Sequence, residues 1–156
     1  AIKLGNGRKF PMRLEKAYKT PFFGYLGVAP YLISNSVVGI VAQRLVRKVC
    51  QFCKYEEPAT AEDIAIVGDG IPMITRGKGC KVCNNTGYKG RISIHEMVYI
   101  DKTLKRMIAR SADSQEMLEY AKKTQGMRSL MDSAIDLVKE GVTTPEEVMK
   151  IAYYSD

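Results

Sequence analysis

Four cysteines are the residues of this sequence whose type and spacing could do chemistry. Cys50 and Cys53 form one C-x2-C pair, Cys80 and Cys83 form a second, and 26 residues separate the pairs. Two thiolates spaced this way can face one metal ion from a tight turn, and zinc takes four such ligands in a tetrahedron. Paired C-x2-C turns are typical of zinc sites, although this gap exceeds the usual roughly 15–20 residues. The spacing therefore predicts a Zn2+ site.

Two other chemistries compete for these cysteines. Four thiols could form two disulfides, which belong to oxidising compartments, but the sequence shows no secretory signal. One C-x2-C pair could be a redox pair, yet such a pair needs no second copy. Because four thiolates fill the coordination shell, we expect the metal to be structural and to leave no position open for water or substrate.

Apolar periodicity predicts the element that leads into the first cysteine pair. Between Tyr31 and Val49, apolar residues recur every four positions, as they do along one face of a helix. The opposite face of that predicted helix holds Gln43, Arg44 and Arg47. This face is either solvated or in contact with a partner or a phosphate, and we expect alanine there to cost little stability.

The rest of the chain combines a short β region with a helical end. We expect a short helical or irregular stretch at 61–67, and strands at 71–75 and 91–98, beside the second cysteine pair. Helix start and stop residues then recur to the end of the chain. They delimit helices at 101–110, 113–126, 129–140 and from 144 onward. The predicted fold class is mainly α, with a small irregular β zinc-binding subdomain and a C-terminal helical subdomain.

The net charge of +7 is unevenly distributed along the chain. Residues 1–54 carry ten basic side chains and one acidic one, whereas residues 55–156 carry 14 basic and 16 acidic ones. This distribution weakens the nucleic-acid partner that a basic protein suggests. No apolar run approaches the roughly 18 residues that span a bilayer. Because no signal sequence accompanies them, the reduced cysteines predict a cytoplasmic protein.

No catalytic group is evident in the sequence. A P-loop needs G-x4-G-K-[ST], and the nearest match, at Gly77 and Lys78, lacks both the first glycine and the hydroxyl residue. His95 is the single histidine, and because four thiolates already fill the metal shell we expect it to be an ordinary strand residue. The sequence therefore predicts no catalytic residue and no ATP-binding site in this chain.

Four segments occur in an order that resembles a known family. They read VAQRLVRKVC at 41–50, GCKVCNNTGYKGR at 79–91, QGMRSL at 125–130 and GVTTPEEV at 141–148. Together they resemble the C-terminal portion of the type II secretion and type IV pilus assembly ATPases, in the branch that carries four cysteines. The resemblance runs from residue 24 to the end of the chain.

The resemblance implies a domain organisation and a parent protein. Residues 1–23 stay unassigned, 24–49 are the last helical part of a RecA-like ATPase domain, 50–98 are the zinc subdomain and 99–156 are the C-terminal helical subdomain. The parent is then a homo-hexameric ATPase that binds ATP and Mg2+ upstream of this chain. Such motors lie at the cytoplasmic face of the inner membrane, peripheral to it, and push on a membrane platform protein.

The same resemblance gives a role to the three polar residues before the first cysteine pair. In this family, subunits meet around the nucleotide close to the segment that precedes the zinc turn. Gln43, Arg44 and Arg47 are therefore candidates for subunit or nucleotide-interface contacts. A planar arginine fork is suited to a phosphate or to the carboxylate of a neighbouring subunit.

A zinc ribbon that binds nucleic acid is the alternative function. Five basic residues and no acidic one lie around the second cysteine pair: Arg76, Lys78, Lys81, Lys89 and Arg91. Such ribbons usually interleave exposed aromatic side chains for base stacking, and only Tyr88 is nearby. We therefore favour the non-catalytic region of a secretion or pilus motor and do not expect nucleic acid as a partner.

Overall fold

The computed structural model describes residues 2–3, 9–10 and 29–153, with side chains for 29–151. Most of the unassigned segment at 1–23 lies outside these residues. The chain divides into two units. Residues up to Gln43 together with His95–Arg128 form the first unit, and Arg44–Ile94 with the residues from Ser129 onward form the second. The domain boundaries implied by the family resemblance stay predictions.

Strands and helices both contribute to the part of the chain that is described. The strands are β1 (Ile2–Lys3), β2 (Lys9–Phe10), β3 (Gly39–Val49), β4 (Lys54–Pro58), β5 (Met73–Gly77) and β6 (Tyr88–Tyr99). The helices are α1 (Pro30–Ser36), α2 (Ala61–Val67), α3 (Lys102–Ala109), α4 (Ser114–Gln125), α5 (Leu130–Lys139) and α6 (Pro145–Tyr153). Two-stranded sheets pair β1 with β2, β3 with β6, and β4 with β5. No helix among the described residues is long and apolar enough to cross a membrane.

Helices α1, α3 and α4 belong to the first unit. The Asp101 carboxylate accepts hydrogen bonds from two backbone N–H groups of the first turn of α3, and α3 packs against α1. Helix α4 ends at Gly126, whose φ of 62° favours glycine. The Tyr120 hydroxyl donates to Asp101 at 2.9 Å and so ties α4 to the start of α3. The predicted helices at 101–110 and 113–126 are confirmed.

The second unit contains helices α2, α5 and α6 and the antiparallel pair of strands β4 and β5. In this pair, Lys54 lies opposite Gly77 and Pro58 lies opposite Met73. Helix α6 packs against both α2 and α5. Ile74 of β5 is completely buried and belongs to the core of this unit. One end of the β4–β5 pair, at Lys54 and Gly77, therefore lies directly beside the two cysteine pairs.

Most other predicted elements are found, and the fold class is broader than predicted. Of the two alternatives at 61–67 the structure has the helix, α2, and β6 contains the predicted strand at 91–98. The strand expected at 71–75 begins two residues later, as β5. Helices α5 and α6 correspond to the predictions at 129–140 and from 144 onward. Because β3 and β6 are long strands of 11 and 12 residues, the fold is mixed α/β instead of mainly α.

The helix predicted over 31–49 is wrong. Helix α1 stops at Ser36, and strand β3 follows it. A spacing of four residues fits one helical turn as well as two strand repeats, so Val41 and Leu45 share a face in either structure. In the strand that face is exposed, whereas Ala42 on the other face is buried. The many β-branched residues of this segment favour the strand.

Candidate metal centre

Two tight turns carry the four cysteines. Cys50 directly follows β3, and the Cys53 backbone N–H donates to the Cys50 carbonyl at 3.3 Å. The second turn is a short 3-10 turn at Lys81–Cys83, in which the Cys83 backbone N–H donates to the Cys80 carbonyl at 3.2 Å. Each turn therefore presents its two sulfur atoms from a backbone that its own hydrogen bond holds in place.

The sulfur atoms converge at the spacing of a tetrahedral site. All four lie within 4.8 Å of one another. The Sγ atoms are 3.9 Å apart for Cys50 and Cys80, 3.9 Å for Cys53 and Cys83, and 3.7 Å for Cys80 and Cys83. A zinc ion with zinc–sulfur bonds of about 2.3 Å holds its four sulfurs about 3.8 Å apart. All four cysteines are free thiols. The predicted convergence is confirmed, and the cluster has the dimensions of a zinc site.

Two glycines allow the cysteine turns to come together. Gly77, at the end of β5, lies so close to Gly87 that a Cβ atom on Gly77 would be 2.2 Å from the Gly87 carbonyl oxygen. That carbonyl accepts a hydrogen bond from the Cys50 backbone N–H at 2.9 Å, and the Gly87 N–H donates to the Cys83 sulfur at 3.3 Å. The peptide groups of Gly87 thus connect one cysteine turn to the other.

Backbone N–H groups make the environment of the Cys83 sulfur favourable for a thiolate. Burial disfavours the charged form of a thiol, and it raises the pKa of Cys53 to about 12. At Cys83 burial acts the same way, but N–H donation from Cys80 and Gly87 outweighs it and lowers the pKa to about 6. Cys53 and Cys83 therefore differ in acidity, and a metal ion that bound both sulfurs would have to displace the proton of Cys53.

Arg76 of β5 joins three elements beside the metal centre. Its guanidinium donates to the two carboxylate oxygens of Asp63 in α2 at 2.8 and 2.9 Å, and it also contacts Glu57 of β4 and Glu146 of α6. Burial alone raises the pKa of the Asp63 carboxyl, but hydrogen bonds from Thr60 and Arg76 outweigh burial and lower it. One half-buried cation thus links β4, α2 and α6 to the strand that leads to the second cysteine turn.

Arg47, near the end of β3, makes a second link to α6. Its Nε and Nη2 atoms lie 2.9 and 2.8 Å from Oε1 of Glu147, and its backbone N–H donates to Oε2 at 3.0 Å. The guanidinium also lies 3.9 Å from the centroid of the Tyr88 ring, whose hydroxyl is 2.8 Å from Oγ1 of Thr144. These contacts give Arg47 a structural role. We therefore no longer expect that alanine at this position would cost little stability.

The three candidate interface residues do not share one face. Alternate residues of a strand point to opposite sides, so Gln43 and Arg44 lie on different faces of β3. Gln43 is exposed and Arg44 is half-buried. The common helix face that suggested them is therefore wrong, although contact between these residues and another subunit or a nucleotide stays a prediction. His95 lies on β6 and is not a member of the sulfur cluster.

Sequence reasoning missed the carboxylates that hold the two arginines. Arg76 and Asp63 are 13 positions apart, and Arg47 and Glu147 are 100 positions apart. The one available signal was helix capping, because Asp63 and Glu147 each follow a threonine by three residues. Asp63 forms a capping box with Thr60, and its carboxylate also accepts a hydrogen bond from Arg76. At Glu147 the carboxylate binds Arg47.

Two of the residues that a nucleic-acid site would use are engaged in contacts within the protein. Arg76 is held by three carboxylates, and the Tyr88 ring is covered on one side by the Arg47 guanidinium. Base stacking needs an open aromatic face, and phosphate binding needs an uncommitted cation. No observation on the described residues therefore favours a nucleic-acid site.

Comparison with known proteins identifies the family. The family model described as "Type II/IV secretion system protein" matches residues 23–150. The type II secretion system ATPase E of Vibrio cholerae is 38% identical over 129 residues, which cover 81% of this chain and 25% of the relative. The type IV pilus assembly ATPase PilB of Thermus thermophilus is 36% identical over 129 residues, which cover 80% of this chain and 14% of the relative. The type II secretion system protein E of Pseudomonas aeruginosa is 38% identical over 129 residues, with 81% and 25% covered. The chain thus spans a quarter or less of the length of these relatives, and it belongs to the type II/IV secretion system protein family.

Proposed function

We propose that this chain is the non-catalytic, zinc-binding C-terminal region of a hexameric motor ATPase that powers pilus or pseudopilus assembly or protein secretion. Two of its relatives are named as a type II secretion ATPase and a type IV pilus assembly ATPase. The observation that carries the non-catalytic role is the cysteine cluster, because four thiolates around one zinc leave no position for a substrate. ATP and Mg2+ then belong to another region of the parent.

We assign Cys50, Cys53, Cys80 and Cys83 as the ligands of one structural Zn2+. When bound, the ion cross-links two turns that are distant in the sequence, so metal binding and folding of this region are coupled. The residues of the chain itself complete the site. Backbone N–H groups donate to sulfur, and the close contact of Gly77 with Gly87 brings the turns together.

The same proposal covers the location, the oligomeric state and the partner of the parent protein. We place it at the cytoplasmic face of the inner membrane, as a homo-hexamer that acts on a membrane platform protein. Within it, residues 50–98 form the zinc subdomain and residues 99–156 form the C-terminal helical subdomain. Family membership supports this context.

Metal analysis of the purified chain tests the zinc assignment. We expect about one zinc ion per chain, because four thiolates saturate one tetrahedral ion. The double substitution Cys50→Ser/Cys83→Ser should abolish zinc retention. His95→Ala is the matched control and should retain the metal, since His95 lies outside the sulfur cluster. A metal-free chain that contains two disulfides would overturn the assignment.

The non-catalytic role is tested in the full-length parent. The same double cysteine substitution should leave ATP binding in place, because the phosphate-binding loop lies elsewhere, and should reduce pilus assembly or secretion in cells. Loss of ATP binding in a parent that still forms folded hexamers would contradict the role proposed for this region.

A further inference from the structure

We infer that a cleft in the second unit binds a short apolar peptide with free ends, of the size of a dipeptide. The cleft lies between one face of strands β4 and β5 and the C-terminal end of α5, and its volume is about 330 Å³. All of its lining residues belong to the second unit, and no cysteine is among them. This binding site is separate from the metal centre and goes beyond the proposed function.

The strand pair presents a cation, an anion and an apolar side chain to the cleft in a fixed order. Lys54 is at one end of the register, Glu56 lies opposite Thr75 in the middle, and Met73 is at the other end. Alternate residues of a strand share a face, so Lys54 and Glu56 lie on the same side of β4, about 7 Å apart along the strand. A ligand that runs along this face therefore meets both signs of charge and then an apolar surface.

Thr75 is a buried polar side chain whose hydroxyl lacks a partner. It is 8% exposed and lines the cleft, and none of the described residues forms a hydrogen bond with its hydroxyl. The hydroxyl faces the end of α5, because a Cβ built on Gly141 would lie 2.7 Å from Oγ1 of Thr75. A buried hydroxyl without a hydrogen bond is costly in free energy. A polar group of a ligand in the cleft would satisfy it.

The middle of the cleft is suited to an ammonium group. Helix α5 ends at Lys139, and the last carbonyl groups of a helix carry partial negative charge. Glu56 and Glu140 also line the cleft, and neither forms an ion pair within the part of the chain that the structure describes. The Lys139 ammonium lies 4.0 Å from a carboxylate oxygen of Asp136, which partly compensates its charge. The acceptors around Thr75 thus match the donors of an ammonium.

The two ends of the cleft are suited to a carboxylate and to an apolar side chain. Lys54 is exposed, and among the described residues no carboxylate oxygen lies within 4.0 Å of its ammonium. At the opposite end, Ile71 and Val138 are buried in the floor of the cleft, and Pro72 and Met73 border it. An apolar zwitterion therefore has a complementary group for each of its parts.

The distance between the two charged positions favours a dipeptide over a free amino acid. A free α-amino acid carries its ammonium and its carboxylate on the same carbon atom. Two extended residues span about 7 Å, which matches the distance between Lys54 and Glu56 along β4. A volume of about 330 Å³ also lies within the range of ligand pockets. The ligand class is therefore a short peptide with free ends and apolar side chains.

Titration of the purified chain with leucyl-leucine, followed by NMR, tests the site. We expect the backbone amide signals of Thr75 and Gly141 to shift, with a dissociation constant on the order of 1 mM. The signal of Gly126 should stay in place, because this residue belongs to the first unit. Acetylation of the peptide removes its ammonium and should weaken binding by about tenfold, and amidation removes its carboxylate and should weaken binding by about fivefold. Glycylglycine lacks apolar side chains and should leave the signals unchanged.

Substitution of Thr75 tests the contact with the ammonium. Thr75→Val keeps the shape of the side chain and removes the hydroxyl, so leucyl-leucine should bind about tenfold more weakly. Thr75→Ser keeps the hydroxyl and should retain most of the affinity. Thr124→Val is the matched control, because Thr124 is exposed on α4, outside the cleft, and its substitution should leave binding unchanged.

Substitution of Lys54 tests the contact with the carboxylate. Lys54→Gln should weaken binding of leucyl-leucine by about fivefold, as expected for one exposed ion pair. The same variant should bind leucyl-leucine amide as the unchanged chain does, because this peptide has no carboxylate to lose. Lys122→Gln removes an equal charge from the last turn of α4 and should affect neither peptide.

Three outcomes would overturn the inference. The first is a folded chain whose Thr75 and Gly141 signals do not respond to leucyl-leucine. The second is equal affinity for a leucyl-leucine blocked at both ends, which would identify an internal segment of a polypeptide as the ligand. The third is a loss of binding in Thr75→Ser as large as in Thr75→Val. The same spectra report whether each variant is folded, and if Thr75→Val is not, the peptide series on the unchanged chain decides.

Discussion

Glu147 holds two elements together through one buried carboxylate. It is 5% exposed, and its two oxygens accept hydrogen bonds from the backbone and side chain of Arg47 and from Lys150. Burial on its own raises the pKa of a carboxyl group. Here the bonds from Arg47 and Lys150 outweigh burial and lower the pKa of Glu147 to about 2. The side chain is therefore ionised at neutral pH, and its charge is compensated.

The lowered pKa predicts that stability depends on pH. Because the pKa of Glu147 in the folded chain lies below its ordinary value of 4.5, the charged form contributes fully above pH 4.5 and its contribution is lost as pH falls towards 2. At neutral pH, Glu147→Gln should lower the free energy of unfolding by about 3 kcal/mol. Urea denaturation of both chains across this range measures the difference, which should shrink below pH 4.5.

A surface carboxylate provides the comparison for Glu147. Glu140 is exposed at the end of α5, and Glu140→Gln should change the free energy of unfolding by about 0.5 kcal/mol or less at every pH. Acid release of metal affects all three chains, so the difference between them reports on the carboxylates. A penalty for Glu147→Gln that stays constant as the solution is acidified would show that the pKa of Glu147 is not lowered.

At the scale of elements, the contact between β5 and the start of β6 controls how the cysteine turns meet. A Cβ on Gly77 would lie 2.2 Å from the Gly87 carbonyl oxygen, and both partners are backbone, so the strands must separate. Gly77→Ala should lower the free energy of unfolding by about 1–3 kcal/mol. Because metal binding is coupled to folding, the apparent zinc affinity should fall by about tenfold, as measured by competition with a chelator.

Gly70 is the control for this substitution. It precedes β5 in the same segment, and a Cβ built on it meets no atom within 4 Å. Gly70→Ala should therefore leave both stability and zinc affinity close to those of the unchanged chain. Equal zinc affinity in Gly77→Ala and Gly70→Ala would mean that the close approach of the two strands is not needed for the metal site.

The elements that were predicted correctly depend on local chemistry. Asp101, Asp113 and Ser129 each accept hydrogen bonds from the first turn of the helix that follows, and Gly126 closes a helix with a left-handed backbone. These interactions involve residues a few positions apart, so the sequence displays them directly. The clustering of the four cysteines was predictable for a related reason, because each C-x2-C pair forms its own turn.

The elements that were mispredicted depend on distant partners. Strand β3 pairs with β6, and its periodicity of four residues does not distinguish a strand from a helix. Its pairing partner lies beyond the second cysteine pair, outside any local window of sequence. The carboxylates around Arg47 and Arg76 were missed for the same reason, since which ion pairs form depends on how the elements pack.

At the scale of the whole molecule, the two arginines of β3 should behave differently in the full-length parent. Arg47→Ala should lower the melting temperature, because it leaves Glu147 buried without its main partner. Arg44→Ala and Gln43→Ala should instead reduce hexamer formation or ATP turnover, if these residues contact a neighbouring subunit or nucleotide. Melting temperature, hexamer fraction and turnover per folded hexamer are measured separately. Unchanged turnover and assembly in Arg44→Ala and Gln43→Ala would exclude them from the interface.

The isolated chain should not hydrolyse ATP. It lacks the sequence of a phosphate-binding loop, whose backbone N–H groups and lysine are needed to hold the phosphates. At every purification step, ATP hydrolysis by the chain should not exceed the rate measured in buffer alone. The variant Cys50→Ser/Cys83→Ser provides a chain without metal for comparison. ATPase activity that copurifies with the chain and disappears with one of its own substitutions would contradict the proposed non-catalytic role.

The link between Arg47 and Glu147 also sets the order in which this region can be completed on the ribosome. The two residues are 100 positions apart, whereas Cys50 and Cys80 are 30 apart. At a synthesis rate of about 5–20 residues per second, all four thiols emerge seconds before the last helix does. The four thiols can therefore converge while Arg47 still lacks its carboxylate. The two cysteine turns then act as the template on which α6 closes.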